Sequence, residues 1–169
     1  MEFNNFNNYE EFMKWFDGSK IVKGGKPLMV YHFNTKNKID PYLSNRTYFT
    51  DDPTFGKRYI GPSFKQHKAY LKIINPFICF DKNLLKIYKR DEDKYGKLLK
   101  SSGGTYNIKE RISDFNGSDT YERNYIFNII KRMGHDGAIL PYDWDGGMGT
   151  IKSFVVFDKN QIWELKENN

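Results

Sequence analysis

Few side chains in this chain combine reactivity with a spacing that chemistry can use. His32, His67 and His135 lie far apart in no metal-ligand spacing, and a lone cysteine, Cys79, is too little for a structural zinc site. A G-x-S-x-G nucleophile elbow, an H-E-x-x-H helix and a strand-to-helix G-x-G-x-x-G loop are all absent, which removes support for the ordinary hydrolase and Rossmann readings. Gly103-Gly104-Thr105 lacks the lysine of a phosphate-cradling P-loop. What remains is residues 25–59, where two apolar runs each hold one polar group: His32 after Leu28-Met29-Val30-Tyr31, and Tyr48 before Phe49. Tyr59 follows eleven positions after Tyr48 (59 minus 48). A polar side chain in a buried strand is either a satisfied core group or part of a site, and both readings of His32 stand at this point.

The elements that must position these groups follow from periodicity and punctuation. Asn8 is placed to cap a first helix with Glu10 and Glu11 in its first turn; Phe12, Trp15 and Phe16 share one face, which reads as a packing stripe, and Gly18 ends it. Gly24-Gly25 supplies a turn from Ile21-Val22 into the strand of His32. After Tyr48-Phe49, Thr50-Asp51-Asp52-Pro53 is a helix-start signal, and residues 53–59 fit about two turns closed by Gly61-Pro62, short enough for a lid. Residues 69–80 read as a strand broken at Asn75-Pro76, bent or switching sheets. Residues 84–100 suit one surface helix or two interrupted near Gly96, and residues 101–117 read mostly as loop.

The strongest helix signal is at residues 119–133: Asp119 and Glu122 resemble a capping box, and Tyr125, Ile126, Ile129, Ile130 and Met133 form one face ending at Gly134. Asp136-Gly137 then turns into a short strand at 138–140, followed by a Gly-rich loop at 141–149 that carries Trp144 between Asp143 and Asp145. Residues 153–157 (SFVVF) are a buried strand, and Gln161-Ile162-Trp163 continues the sheet. Short strands among patterned helices give an α+β class, expected as two small β-sheets packed across the cleft of His32 and Tyr48, with flanking helices.

Composition bounds the setting. With 169 residues, 38% hydrophobic and 17% aromatic, the chain suits one domain, residues 1–169, with one sizeable core. Its net charge of +6 favours acidic partners, nucleic acid among them, although the lysines are scattered and suit a solvated surface equally. One cysteine excludes an intrachain disulfide and fits a reducing compartment, with Cys79 as a small core residue. The start MEFNNFNNYEEF has no basic-then-apolar export pattern, and no apolar run approaches the roughly 18 residues of a membrane helix. The expectation is a cytoplasmic monomer, bacterial or made inside a host cell, without membrane or metal.

In this order the residues carry a likeness. The chain resembles the ADP-ribosyltransferase superfamily of the His-Tyr-Glu type, shared by diphtheria-toxin-like enzymes and poly(ADP-ribose) polymerases, and is most similar to the small transferase domains of phage and mobile-element polyvalent proteins. GKPLMVYHFN matches the family's first strand, RTYFTDDPTFGKRY its second strand and helix, AYLKIINPF the next strand, and GHDGAIL and SFVVFDKNQI the closing strands. The resemblance implies an ADP-ribosyltransferase-like fold with NAD as substrate and a macromolecular target, a host protein foremost, as in an effector or anti-defence protein. It implies that His32 hydrogen-bonds the adenine-side ribose and that Tyr48 and Tyr59 hold the nicotinamide between aromatic faces, where a cationic ring gains from the quadrupole.

The departures from that family matter as much. Phe33 stands where the family has Gly, at a backbone that grips the nicotinamide carboxamide; Gly56 stands in the place of a small residue, often Ser, that helps hold the same amide. Ser153 falls at the position of the catalytic Glu, which binds a ribose hydroxyl and stabilises the positive charge that builds as nicotinamide departs. Loss of such a preorganised charge costs about 10²–10³ in rate. Ser153 itself as an uncharged substitute, a carboxylate from Glu164, Asp143 or Asp145, or an acid from the target remain open alternatives. The same departures leave a catalytically silent fold that inhibits by binding, and the charge leaves a nucleic-acid ADP-ribosyltransferase, as rival functions.

Overall fold

The computed structural model describes residues 6–35, 46–59, 61, 63–117, 119–144 and 150–165. Helix α1 (Phe6–Phe16) begins two residues before the expected cap, so Asn8 belongs to its first turn. Its aromatic stripe packs as periodicity requires: Phe12 and Phe16 are buried on Tyr70, with Trp15 and Trp163 at the margin. Burial of each such ring is worth roughly 1.5–3 kcal/mol. Gly24 and Gly25, both at positive φ, form the tip of a hairpin of two-residue strands, β1 (Val22–Lys23) and β2 (Lys26–Pro27). The strand of His32, β3 (Val30–Thr35), begins only after that hairpin.

The main sheet has seven strands in the order β6-β7-β8-β4-β3-β5-β9. These are β4 (Thr47–Thr50), β5 (Phe64–Leu71), β6 (Pro76–Ile78), β7 (Gly137–Trp144), β8 (Thr150–Val156) and β9 (Ile162–Glu164), together with β3. All pairings are antiparallel except β6 with β7. The fold is thus α+β, and the large sheet is a single ladder with a weak joint, where two separate small sheets were expected. Between β3 and β4 only Tyr31↔Thr50 pairs, whereas β3 and β5 share six pairs. The two halves on either side of that joint pack through one core, in which Val30, Ala69 and Leu71 meet Ile139, Phe154 and Val156. The opposite face of β7 and β8 carries Ala138, Leu140 and Val155 against the helices. Burial on both faces is why SFVVF reads as an unbroken apolar run.

Asn75-Pro76 breaks the chain as its chemistry dictates, but the break separates two strands of one sheet, β5 near one edge and β6 at the other. The Asp136 carboxylate accepts from the backbone N–H groups of Ile74 (2.7 Å) and Asn75 (2.8 Å), so this bend is tied to the turn before β7. Helix α2 (Phe55–Tyr59) is about one turn, shorter than expected; Asp52 accepts from Thr54 N (2.8 Å) and Arg58 (2.5 Å), and Gln66 of β5 donates to Pro53 O (2.8 Å), which pins it.

Helix α3 (Asp81–Ser101) runs through Gly96 without interruption, packing having outweighed the roughly 1 kcal/mol helical cost of glycine. The segment read as loop contains α4 (Ile108–Asn116), started by Asn107, whose side chain accepts from Glu110 N. Helix α5 (Thr120–Arg132) has the expected Asp119 cap and buries Ile126, Ile129 and Ile130; Met133 stays exposed. A polar knot locks α5 to its neighbours. Arg111 bonds Glu122 (3.0 Å), Tyr88 Oη donates to Glu122 (2.7 Å), and Tyr125 Oη donates to Asp91 (2.5 Å), with the Arg111 guanidinium 4.7–5.0 Å from the rings of Tyr88, Tyr106 and Tyr125. Among the described residues no helix is long and apolar enough to cross a membrane.

Candidate functional site

The cleft opens where the ladder is thinnest. A cavity of about 350 Å³ lies against β3, β4 and β8, walled by α2 and the start of α5. That is at the low end of small-molecule sites, roughly 300–1,000 Å³. One end is aromatic. Phe33 lies 6.5 Å from Tyr31, stacked, 6.1 Å from Phe55, and 5.6 Å from Phe64, edge-on.

Gly56 lies directly beneath the Phe33 ring. A Cβ built on it would stand 2.2 Å from Phe33 Cδ1 and 2.8 Å from Cγ and Cε1, a clash with the stem of a boxed ring. Phe33 and Gly56 therefore depend on one another: the ring fills the space a side chain at 56 would need. Two departures noted in the sequence are one packing event. Tyr59 ends α2, and its side chain lies outside the described part of the structure.

The other end is polar. Thr50↔Ser153 and Tyr48↔Val155 are partners in the β4–β8 ladder, and the two-residue side-chain period turns Tyr48, Thr50, Ile151 and Ser153 to the same face. Burial pushes the Tyr48 phenol up, against the pull of Arg123 and Arg46. The Arg123 guanidinium lies 5.8 Å over the Tyr48 ring, its Nε donates to Phe115 O (2.9 Å), and its Nη2 donates to Asp143 Oδ1. Both members of that ion pair are 6% exposed and both line the cleft. Arg46, beside the Phe127 ring at 5.8 Å, has no carboxylate partner among the described residues and leaves the cleft a cation for an anionic group.

His32 sits at the joint. Its Nδ1 lies 2.8 Å from Tyr48 O, and since a carbonyl only accepts, this nitrogen carries the proton. The ring packs on Phe49 (5.6 Å) and beside His67 (6.1 Å), so this histidine lines the cleft while also bracing β3 against β4.

The structure thus gathers His32, Phe33, Tyr48 and Ser153 in one cleft, with Gly56 behind Phe33. Glu164, one of the expected substitute carboxylates, is not brought there: β9 lies beyond β5, and its carboxylate bonds His67 Nδ1 at 2.8 Å. Asp145 lies outside the described residues. Asp143 does reach the cleft, because residues 141–144 continue β7 as strand rather than loop. Arg46 and Arg123 also line the cleft, and neither was expected from the sequence. Arg123 had a signal, since it stands at i, i+3, i+4, i+7 with Ile126, Phe127 and Ile130, a charge on an apolar stripe. Among the described residues no group of three or more His, Cys, Asp or Glu could hold a metal ion.

No protein-family model, curated protein or solved structure matches the chain.

Proposed function

We propose that the protein is an NAD-dependent ADP-ribosyltransferase of the His-Tyr-Glu type with an altered third position, acting on a macromolecule, a host protein foremost. One observation carries this reading: His32, Tyr48 and Ser153, the three positions the resemblance singles out, stand on strands β3, β4 and β8, which are consecutive neighbours in the sheet and border one cleft. The chemistry of the cleft fits the substrate. Aromatic faces suit a flat heterocycle, Ser153, Thr50 and the Arg123–Asp143 pair offer hydrogen bonds to ribose hydroxyls, and Arg46 offers countercharge to a diphosphate.

A second reading has its own support. Ser153 is uncharged and the Phe33 ring takes space beside Gly56, which together favour a fold that binds a nucleotide without consuming it and inhibits through that complex. Incubation of the purified protein with NAD labelled on its adenylate half, in lysate of the host cell, separates the two. Label transferred to protein supports the transferase. Label in nucleic acid moves the target to that rival, free ADP-ribose alone indicates hydrolysis, and no turnover with retained NAD binding leaves the silent fold.

A further inference from the structure

Strand β7 carries one residue too many. Leu140 pairs with Ser153 and Asp143 with Ile151, so three steps on β7 are matched by two on β8. Because strand side chains alternate with a period of two, an extra residue reverses which ones face the cleft from that point on. Without the bulge Tyr142 would oppose Ile151; with it Asp143 does, and Tyr142 is turned out to 70% exposure. Bulges recur beside active sites because they re-aim side chains in this way.

What the bulge aims inward is a carboxylate, which in a dry site needs a countercharge, and Arg123 supplies it. The guanidinium is held at Phe115 O and at Asp143 Oδ1, so it fixes the carboxylate's orientation. Oδ2 has no hydrogen-bond donor among the described residues, and Asp143 borders the cleft on the same face as Ile151 and Ser153. A bulge and a buried ion pair at one point are both costly, and neither adds apolar packing.

Building on the ADP-ribosyltransfer reading, we infer that Asp143 is the catalytic carboxylate of this cleft, with Arg123 its positioning residue and Ser153 a hydrogen-bond partner of the ribose. In the step it serves, the bond from ribose C1′ to the nicotinamide nitrogen breaks and its electron pair leaves with nicotinamide. Positive charge building on the ribose faces the carboxylate. The target's nucleophile forms the new bond at C1′, and its proton passes to Asp143 and on to solvent. NAD and the protonated nucleophile thus become nicotinamide, the ADP-ribosylated target and one proton.

The test measures nicotinamide release from NAD in host lysate, against a lysate blank, beside the melting shift that NAD induces in each purified variant. Wild-type release supports the underlying reading; its absence removes that reading and this assignment with it. Given release, Asp143→Asn lowers it about 10²–10³-fold while the NAD-induced shift persists, and Ser153→Ala lowers it less than about tenfold. Adding Ser153→Glu to Asp143→Asn returns a carboxylate to the same wall and recovers at least about tenfold. Asp143→Asn with wild-type turnover overturns the assignment and leaves the transferase reading intact. Should Asp143→Asn fail to melt cooperatively, Arg123→Lys keeps the cation without the two-point grip: a fall in kcat at unchanged KM supports the assignment, and unchanged kcat overturns it.

Discussion

Gly56→Ala should destabilise the protein when Phe33 is present and stabilise it when Phe33 is gone. The added methyl would lie 2.2 Å from Phe33 Cδ1, and the ring is boxed by Tyr31, Phe55 and Phe64, so it has no cheap way to yield. Overpacking of this kind costs about 1–3 kcal/mol, and contact with the ring stem puts this case at about 2–3. Gly56 sits in α2 without a positive φ, so alanine also returns up to about 1 kcal/mol of backbone entropy. The net loss is about 1–2 kcal/mol, a fall in Tm of roughly 2–8 °C for a chain of this length. In a Phe33→Ala background only the backbone gain remains, and Tm rises by about 1–4 °C. Melting of the four proteins in a double-mutant cycle reads the coupling as about 2–3 kcal/mol. A rise in both backgrounds would refute the interdependence of residues 33 and 56.

Two further outcomes follow from burial. Burial pushes the Cys79 thiol far above its ordinary value, so a thiol reagent at neutral pH should leave the native protein unlabelled and modify one equivalent after denaturation; rapid native labelling would contradict the packing of β6 against α3. Burial also raises the phenols of Tyr88, Tyr106 and Tyr125, that of Tyr106 to about 12, with the Glu122 and Asp91 hydrogen bonds adding to the first and last. A group raised in the folded state contributes stability that is complete below its unfolded value, near 10, and lost as pH climbs toward the folded one. Tm should therefore fall between about pH 10 and 12, with the phenolate absorbance of these three appearing together with unfolding; a phenolate signal from all twelve tyrosines before unfolding would contradict it.

Elements with local signals were legible from the residues alone. The Asp119 cap and the isoleucine face gave α5, the paired glycines gave the β1–β2 turn, and the apolar run gave β8. What was missed depended on partners distant in sequence. Nothing local reports that Gly96 would be overridden by packing, or that Asn107 rather than the glycines before it would govern residues 108–116. The length of β7 and its bulge are set by β8, so Asp143 looked like a loop residue. His32, Tyr48 and Ser153 were singled out by order along the chain, and they border one cleft; Arg46 and Arg123 enter it only through tertiary placement.

Binding of NAD in this cleft is read out by the melting temperature during titration with NAD. A ligand at one hundred times its Kd adds about 2.7 kcal/mol, which for a chain of this length is roughly 5–11 °C. A rise of that order is expected at saturation, reduced in His32→Ala, which loses the bond to Tyr48 O, and in Tyr48→Ala, which loses a wall of the cleft. No shift at millimolar NAD, or a shift that survives both substitutions, would contradict it.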